Sequence, residues 1–464
     1  MNDERKAYPD IMTLACLAFA ISIVFEIFSA RCLYGDGSFN YINDLANGKF
    51  AGLSGVRSIA DDIFEFPMLM AMRLGVTNLY WLRLFFGLGR LIPWPVALLL
   101  CYRVAPRHFW LAALACGAGY LNASFVAVGE HIVAHAFFWP AVFALVFARP
   151  LTPFAAVILL LSGIILLESY ESLLFLGPCL AGVALWRVFD RKETAWARGI
   201  FLAAAALFVL AAVIALTAIS KPSNGRELGG FRSDAIVILS NPGWTLKWTA
   251  LWILLMVGIC FSEGFRRTAT KPAALIFSVL ALGLWGAWPL LKPDDLNPAR
   301  QFNARFLDLA VPLALLPVAI AVVVLPNWFE LRRRQVVVLS AALLLAQSLW
   351  QISATCQWQR FTGILRGVLV SRTGYLSLSE TPLAQSPGKS LHFVGGVFDW
   401  DNPCLCIALS PGGRVRMMLH SAPDGYAARW QPFDPLDPKT FPELNRYGVD
   451  YSDYQAAIGV ASAK

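Results

Sequence analysis

Eleven hydrophobic runs, each long enough to cross a lipid bilayer, limit the folds open to this chain. A transmembrane helix needs about 20 predominantly apolar residues. Hydrophobic residues make up 58% of the sequence and charged residues only 15%, which is typical of a polytopic membrane protein. We therefore predict an all-α membrane protein with about eleven transmembrane helices. The runs lie at 11–31, 79–102, 109–127, 132–148, 153–167, 171–187, 200–220, 247–263, 272–291, 306–325 and 335–355.

Basic residues cluster in five short connections between these runs. If the N-terminus is cytoplasmic, all five connections face the cytoplasm, as the positive-inside rule requires. The net charge of +8 is then explained by topology and needs no nucleic-acid partner. We interpret the first run as a retained anchor. The five clusters lie at 103–107, Arg149, 187–198, 266–271 and 332–334.

The first outer loop, residues 32–78, carries apolar residues at three- to four-residue spacing with acidic residues between them. This pattern predicts two short amphipathic helices on the membrane surface. Asp36 stands between two glycines where the first run ends, so its carboxylate is carried on a backbone that bends easily at the interface. Asp36 is a candidate general base or metal ligand; the alternative is an ordinary turn residue.

Residues 356–464 are rich in proline and lack long hydrophobic runs, unlike the transmembrane module formed by residues 1–355. We predict a small extracytoplasmic α+β domain, with strands at 390–394 and 415–419 and a turn at 410–413 between strands. Cys404 or Cys406 could form a disulfide with Cys356 in an oxidising compartment.

Further charged groups fall on the predicted outer side. Glu130 and His131 occupy one short turn, and Glu168 and Glu171 occupy another; neither turn contains Lys or Arg. We assign Glu130 and His131 to catalysis and Glu168 and Glu171 to substrate binding. The alternative is that these charged residues lie at the membrane–water interface without a functional role.

Three more residues are candidate substrate ligands. His135 lies four positions after His131 on the same helical face, where the pair could hold a proton or a divalent ion. Arg300 and Arg305 precede a span, where a guanidinium binds phosphate oxygens in bidentate fashion. Either arginine could instead anchor lipid headgroups. Glycine loops of the type that bind ATP phosphates are missing, which argues against an ATP-driven pump.

The arrangement resembles the GT-C superfamily of integral-membrane glycosyltransferases. The likeness rests on an acidic residue opening the first outer loop at Gly35-Asp36-Gly37, two surface helices, many spans and an outer C-terminal domain. The stretch from Ala304 to Leu307, followed by Pro312, is similar to the Arg-aromatic span start of the protein O-mannosyltransferase and aminoarabinose-transferase branches. The resemblance implies that Asp36 is the catalytic base or a metal ligand and that a nearby arginine meets the lipid-phosphate donor.

These patterns predict a glycosyltransferase of the bacterial inner membrane. Because nucleotide sugars are made in the cytosol, a site facing outward needs a polyprenyl-phosphate-linked sugar as donor, with a glycan or a lipid as acceptor. Membrane lipids are the other expected partners, and participation of a divalent metal is left open. The alternative is a transporter or flippase for lipid-linked saccharide, which requires polar or broken helices near mid-membrane. Arg83 and Arg90, in or near the second span, are the charged residues that fit that alternative.

Overall fold

The computed structural model of the chain is mostly helical. It describes residues 4–48, 56–119, 129–220, 283–284, 287, 290–291, 301–330, 333–376, 380–382, 402–419 and 442–457. The helices are α1 (Glu4–Phe28), α2 (Asp36–Asn47), α3 (Ser58–Arg73), α4 (Leu79–Leu91), α5 (Pro93–Val104), α6 (Phe109–Ala118), α7 (His131–Val146), α8 (Pro153–Leu166), α9 (Leu173–Val188), α10 (Ala195–Ile219), α11 (Gln301–Val324), α12 (Pro326–Glu330), α13 (Arg333–Ser371), α14 (Asn402–Leu409) and α15 (Ser452–Ala457). Two short strands, β1 (Gly374–Leu376) and β2 (Met417–Leu419), follow α13 and α14 respectively.

Three of the described helices are long and apolar enough to cross a membrane: Ile11–Phe28 within α1, α10, and α13. Helices α4 and α5 meet the same criterion as a pair, although they are bent by 45° at their junction. Helices α7, α8 and α9 and the 309–324 part of α11 are apolar but shorter. These helices indicate a membrane-embedded protein.

The predicted runs fall on helices wherever the structure describes the chain. The predicted break at 168–172 is confirmed, because α8 ends at Leu166 and α9 begins at Leu173. Run 247–263 lies outside the described residues, and run 272–291 lies almost entirely outside them. The count of eleven spans therefore stays a prediction.

The bend between α4 and α5 follows from Pro93, which opens α5 and supplies no backbone N–H to continue α4. Just before the bend, α4 crosses closely over α3. A Cβ atom at Gly89 would overlap the carbonyl oxygen of Phe64, so this crossing requires glycine. The next residue, Arg90, is thereby held against α3.

The two helices predicted for the first outer loop are confirmed as α2 and α3. Most of the acidic residues on these two helices are buried. Asp44, Asp61 and Glu65 are at most 2% exposed, whereas Asp62 is exposed. The reason is packing on two sides, since α3 lies against α4 and α2 lies against α14.

Helix α13 has 39 residues and packs along α1. At 1.5 Å per residue it is about 58 Å long, well beyond a hydrocarbon core of about 30 Å. The two helices are joined by polar contacts: Arg31 Nη1 lies 3.3 Å from Glu26 Oε1 and donates to Thr355 Oγ1 at 3.2 Å. Trp358 Nε1 donates to the carbonyl of Ser29 at 3.1 Å. Helix α13 runs unbroken past residue 356, and the division into two domains there stays a prediction.

The described part of the tail packs on the first outer loop. Strands β1 and β2 pair in parallel, with Gly374 opposite Met417, and α14 contacts both β2 and α2. The predicted strand at 415–419 is confirmed in part by β2, and the one at 390–394 lies outside the described residues. The turn at 410–413 exists but follows helix α14, not a strand. Neither Cys404 nor Cys406 is bridged to Cys356.

At the other end of the bundle, ion pairs connect the predicted cytoplasmic turns. Arg107 Nη2 lies 2.6 Å from Glu330 Oε1, and Arg149 Nη1 lies 3.5 Å from Asp190 Oδ2. Arg187 is fully buried and pairs with Glu193 while also donating to the carbonyl of Ala148. The basic clusters of neighbouring connections therefore lie side by side.

Candidate functional site

Helix α2 begins at Asp36, immediately after a backbone turn that requires glycine. Gly35 has φ 57° and ψ −137°, a conformation that residues with a Cβ rarely adopt. This agrees with the sequence argument that glycine lets the chain bend sharply at the start of the loop. The structure describes the backbone of Asp36 but not its side chain.

Arg57, from the first outer loop, links the two acidic turns. Its Nε and Nη2 atoms donate to Glu171 Oε1 at 2.8 and 2.6 Å, and its Nη1 lies 3.6 Å from Glu130 Oε2. The guanidinium carbon also lies 5.1 Å from the centroid of the Tyr170 ring. Neither turn contains Lys or Arg, and the neutralising cation is supplied by a residue far away in the chain.

The first turn of α3 is anchored to the second acidic turn. Ser58 Oγ donates to the carboxylate of Glu168, and the backbone N–H of Ile59 donates to the carbonyl of Glu168 at 3.1 Å. Glu168 thus satisfies an N–H group that a helix N-terminus leaves without an intrahelical partner. We refer to Arg57, Glu130, Glu168 and Glu171 as the turn cluster.

The two histidines have different surroundings, and both are about 1% exposed. His131 opens α7, and its ring lies against Gly129 and 5.6 Å from the ring of Tyr170, next to the turn cluster. His135 lies one helical turn deeper, against Gly119 and with its ring centroid 5.1 Å from that of Trp94. The structure thus places His131 beside Tyr170, the ring that Arg57 contacts, and places His135 between the rings of Trp94 and Trp139.

A second group of charges lies beneath the turn cluster. Asp44 of α2, Asp61 and Glu65 of α3, and Arg90 of α4 are each at most 2% exposed, and we call them the buried cluster. Burial raises the pKa of Asp61 to about 8; the charge on Glu130 acts in the same direction, and Arg90 opposes it. Burial also raises the pKa of Asp44 well above its usual range, and the neighbouring carboxyl of Glu65 adds to that effect.

Arg90 contacts two aromatic rings. Its guanidinium carbon is 4.7 Å from the ring centroids of both Phe64 and Phe86. None of its nitrogens donates a hydrogen bond within the part of the chain that the structure describes. Arg90 therefore acts on the buried carboxyls through its charge rather than through direct hydrogen bonds.

Arg300 lies outside the described residues, and Arg305 belongs to α11 with its side chain undescribed. Across the described segments, no group of three or more His, Cys, Asp or Glu side chains has the arrangement of a metal site.

Sequence reasoning missed Arg57 and the burial of Asp44, Asp61 and Glu65. A signal for Arg57 was present, because basic residues in a loop assigned to the outer side depart from the positive-inside rule. A signal for the buried cluster was also present in Arg90, since an arginine within an apolar span requires an acidic or polar partner.

No protein-family model matches the chain, and neither a curated protein nor a solved structure shows significant similarity to it.

Proposed function

We propose that the protein is a membrane glycosyltransferase that moves a sugar from a polyprenyl-phosphate-linked donor to a hydroxyl of a glycan or lipid acceptor. The proposal places it in the bacterial inner membrane, with eleven spans, a cytoplasmic N-terminus and the C-terminal α+β domain outside. The reaction occurs at the outer face, where the first loop and the acidic turns meet.

The observation that carries this proposal is the contact of Arg57 with both Glu130 and Glu171. This contact holds the first outer loop, which carries Asp36, against the ends of two apolar helices. A transferase that uses a lipid-linked donor needs such a water-facing acidic site directly above the lipid region. Carboxylates without a functional role at the membrane–water interface would each be exposed to water separately. Here Glu130 and Glu171 both contact the same arginine.

In the proposed reaction, Asp36 accepts the proton of the acceptor hydroxyl while the acceptor oxygen attacks the anomeric carbon of the donor sugar. The bond from that carbon to the phosphate oxygen breaks, and the electron pair leaves with the lipid phosphate. Arg305 and Arg300 stabilise the charge that develops on the phosphate. Glu130 and His131 assist proton transfer, while Glu168, Glu171 and His135 contribute to substrate binding.

The proposal is tested with purified protein in lipid nanodiscs and radiolabelled polyprenyl-phosphate sugars. Transfer of label to an acceptor, or slow release of free sugar to water, is the expected result. Asp190→Asn, at the opposite end of the bundle, is the matched control and should retain activity. Intact donor after incubation with a panel of hexosyl and pentosyl donors and acceptors would contradict the proposal.

A transporter or flippase for lipid-linked saccharide is the second candidate. It is supported by the 45° bend between α4 and α5, which lies directly beside the buried Arg90. Broken helices with buried charge are typical of transporter substrate sites. Movement of a fluorescent lipid-linked saccharide across proteoliposomes, without chemical change, would favour this candidate over the transferase.

A further inference from the structure

Asp44 and Glu65 lie side by side in the interior, although they belong to different helices. Asp44 is 0% exposed and Glu65 is 1% exposed. The carboxyl of Glu65 is within hydrogen-bonding reach of the carboxyl of Asp44. No N–H or O–H group in the described chain donates to either oxygen of Asp44. The neighbouring carboxyl is thus the group positioned to satisfy Asp44.

Two ionised carboxylates offer only acceptors, so a hydrogen bond between them requires a proton on one of them. In a buried site, two adjacent negative charges also repel strongly, and such a pair retains a proton well above the usual carboxyl range. Uptake of one proton removes the repulsion between the two carboxylates and also supplies the O–H donor that Asp44 lacks.

The surrounding charges do not replace that proton. Arg90 is the cation acting on the pair, but its nitrogens make no hydrogen bond within the described chain. Arg187, equally buried, shows the contrast, since it donates to Glu193 and to two backbone carbonyls. Arg90 offsets one negative charge at most and leaves the oxygens of Asp44 without a donor.

A third carboxyl lies near the pair, and the described part of the tail brings no buried charge to it. Asp61, one turn before Glu65 on α3, raises the pKa of Asp44 further, and Glu130 acts on Asp61 in turn. From the tail, α14 brings the uncharged sequence Asn402–Leu409 to α2, and Arg446 on the adjacent turn is exposed. The ionisable groups that act on Asp44 are therefore Glu65, Asp61 and Arg90.

We infer that Asp44 and Glu65 are a proton-binding site in which a single shared proton joins α2 to α3. The bound proton fixes the helix that begins with Asp36 against the helix that Arg57 directly precedes. This inference stands independently of the proposed glycosyl transfer.

The test is infrared difference spectroscopy of the full-length protein in nanodiscs at neutral pH. Asp44→Asn and Glu65→Gln are near-isosteric, and each amide supplies a permanent donor to the remaining carboxylate. Asp61, whose pKa is about 8, contributes a protonated-carboxyl C=O band of its own at neutral pH, and Asp61→Asn identifies that band. A shared proton predicts a further protonated-carboxyl C=O band, which either Asp44→Asn or Glu65→Gln alone abolishes. Asp190→Asn should leave that band unchanged. Absence of the band in the unsubstituted protein, or its persistence in Glu65→Gln, would overturn the inference.

Thermal unfolding followed across pH gives a second readout. The unsubstituted protein should lose melting temperature as pH rises above neutral, because the shared proton is released. Both amide variants should lose less over the same range, since their hydrogen bond needs no bound proton. If Mg²⁺ raises the melting temperature of the unsubstituted protein but not of Asp44→Asn, a cation occupies the site and the inference is wrong. Equal pH dependence in all three proteins would also contradict it.

Discussion

Two nitrogens of the Arg57 guanidinium donate to the same oxygen of Glu171, a residue 114 positions further along the chain. Arg57 is 26% exposed and Glu171 is 17% exposed, so the pair is only partly screened by water. This contact makes the first outer loop part of the helix bundle rather than a separate surface segment.

Replacing Arg57 tests that contact. Arg57→Ala should lower the free energy of unfolding by about 2 kcal/mol, because it removes charge-assisted hydrogen bonds and leaves Glu130 and Glu171 adjacent without a cation. Arg57→Lys should recover only part of the loss, since an ammonium cannot reproduce the two-nitrogen contact. Thermal melts of both variants, and of Arg57→Ala combined with Glu171→Ala, measure the coupling. Strictly additive losses would show that the two side chains do not stabilise each other.

The pH dependence of stability should change when Asp61 is replaced. The pKa of Asp61 is about 8 in the folded protein and about 4 when unfolded. Between these values the folded state binds more protons, so stability falls as pH rises, by up to about 1.4 kcal/mol per pH unit, and levels off above about pH 8. Asp61→Asn should flatten the curve between about pH 5 and about pH 8. Asp453→Asn in the tail is the control, and an unchanged slope in Asp61→Asn would contradict the assignment.

If Asp36 is the general base, Asp36→Asn should lower the rate of sugar transfer by about 100-fold or more, while donor binding persists. The measurement is turnover of labelled donor at saturation, with melting temperature confirming that the variant folds. Activity within a few-fold of the unsubstituted protein would identify Asp36 as an ordinary turn residue.

Arg305 should not tolerate lysine if it binds the leaving phosphate. A guanidinium binds phosphate through two nitrogens, whereas lysine provides a single point charge. Arg305→Lys should therefore reduce turnover and donor affinity nearly as much as Arg305→Ala, and Arg300→Lys should be milder. A headgroup anchor would accept lysine, so full activity of Arg305→Lys would exclude the phosphate role.

The membrane topology can be tested with reporter fusions. A reporter active only outside the cytoplasm should be active after Lys464 and silent in the turn between Glu330 and Arg334. The positive-inside distribution of basic residues is the reason for this expectation. The opposite result at either position would contradict the predicted topology of eleven spans.

Hydrophobic patterning along the chain was enough to predict the helical class, the break at 168–172 and the two helices of the first loop. Hydrophobic periodicity and local breakers such as Pro93 act within a few residues, so they can be read along the chain. Gly35 belongs to the same group, because its positive φ is a property of one residue and its neighbours.

Which charged groups meet depends on how the helices pack, and the sequence alone did not predict it. Arg57 contacts turns more than 70 residues away, and Asp44 is buried beside Glu65 of α3 and Arg90 of α4. When one helix is considered alone, an acidic residue between apolar residues is predicted to be exposed. Once a second helix packs on its polar side, as α4 does through Gly89 and Arg90, the same carboxyl becomes buried. Long-range packing, which no local pattern encodes, therefore fixed both the turn cluster and the buried cluster.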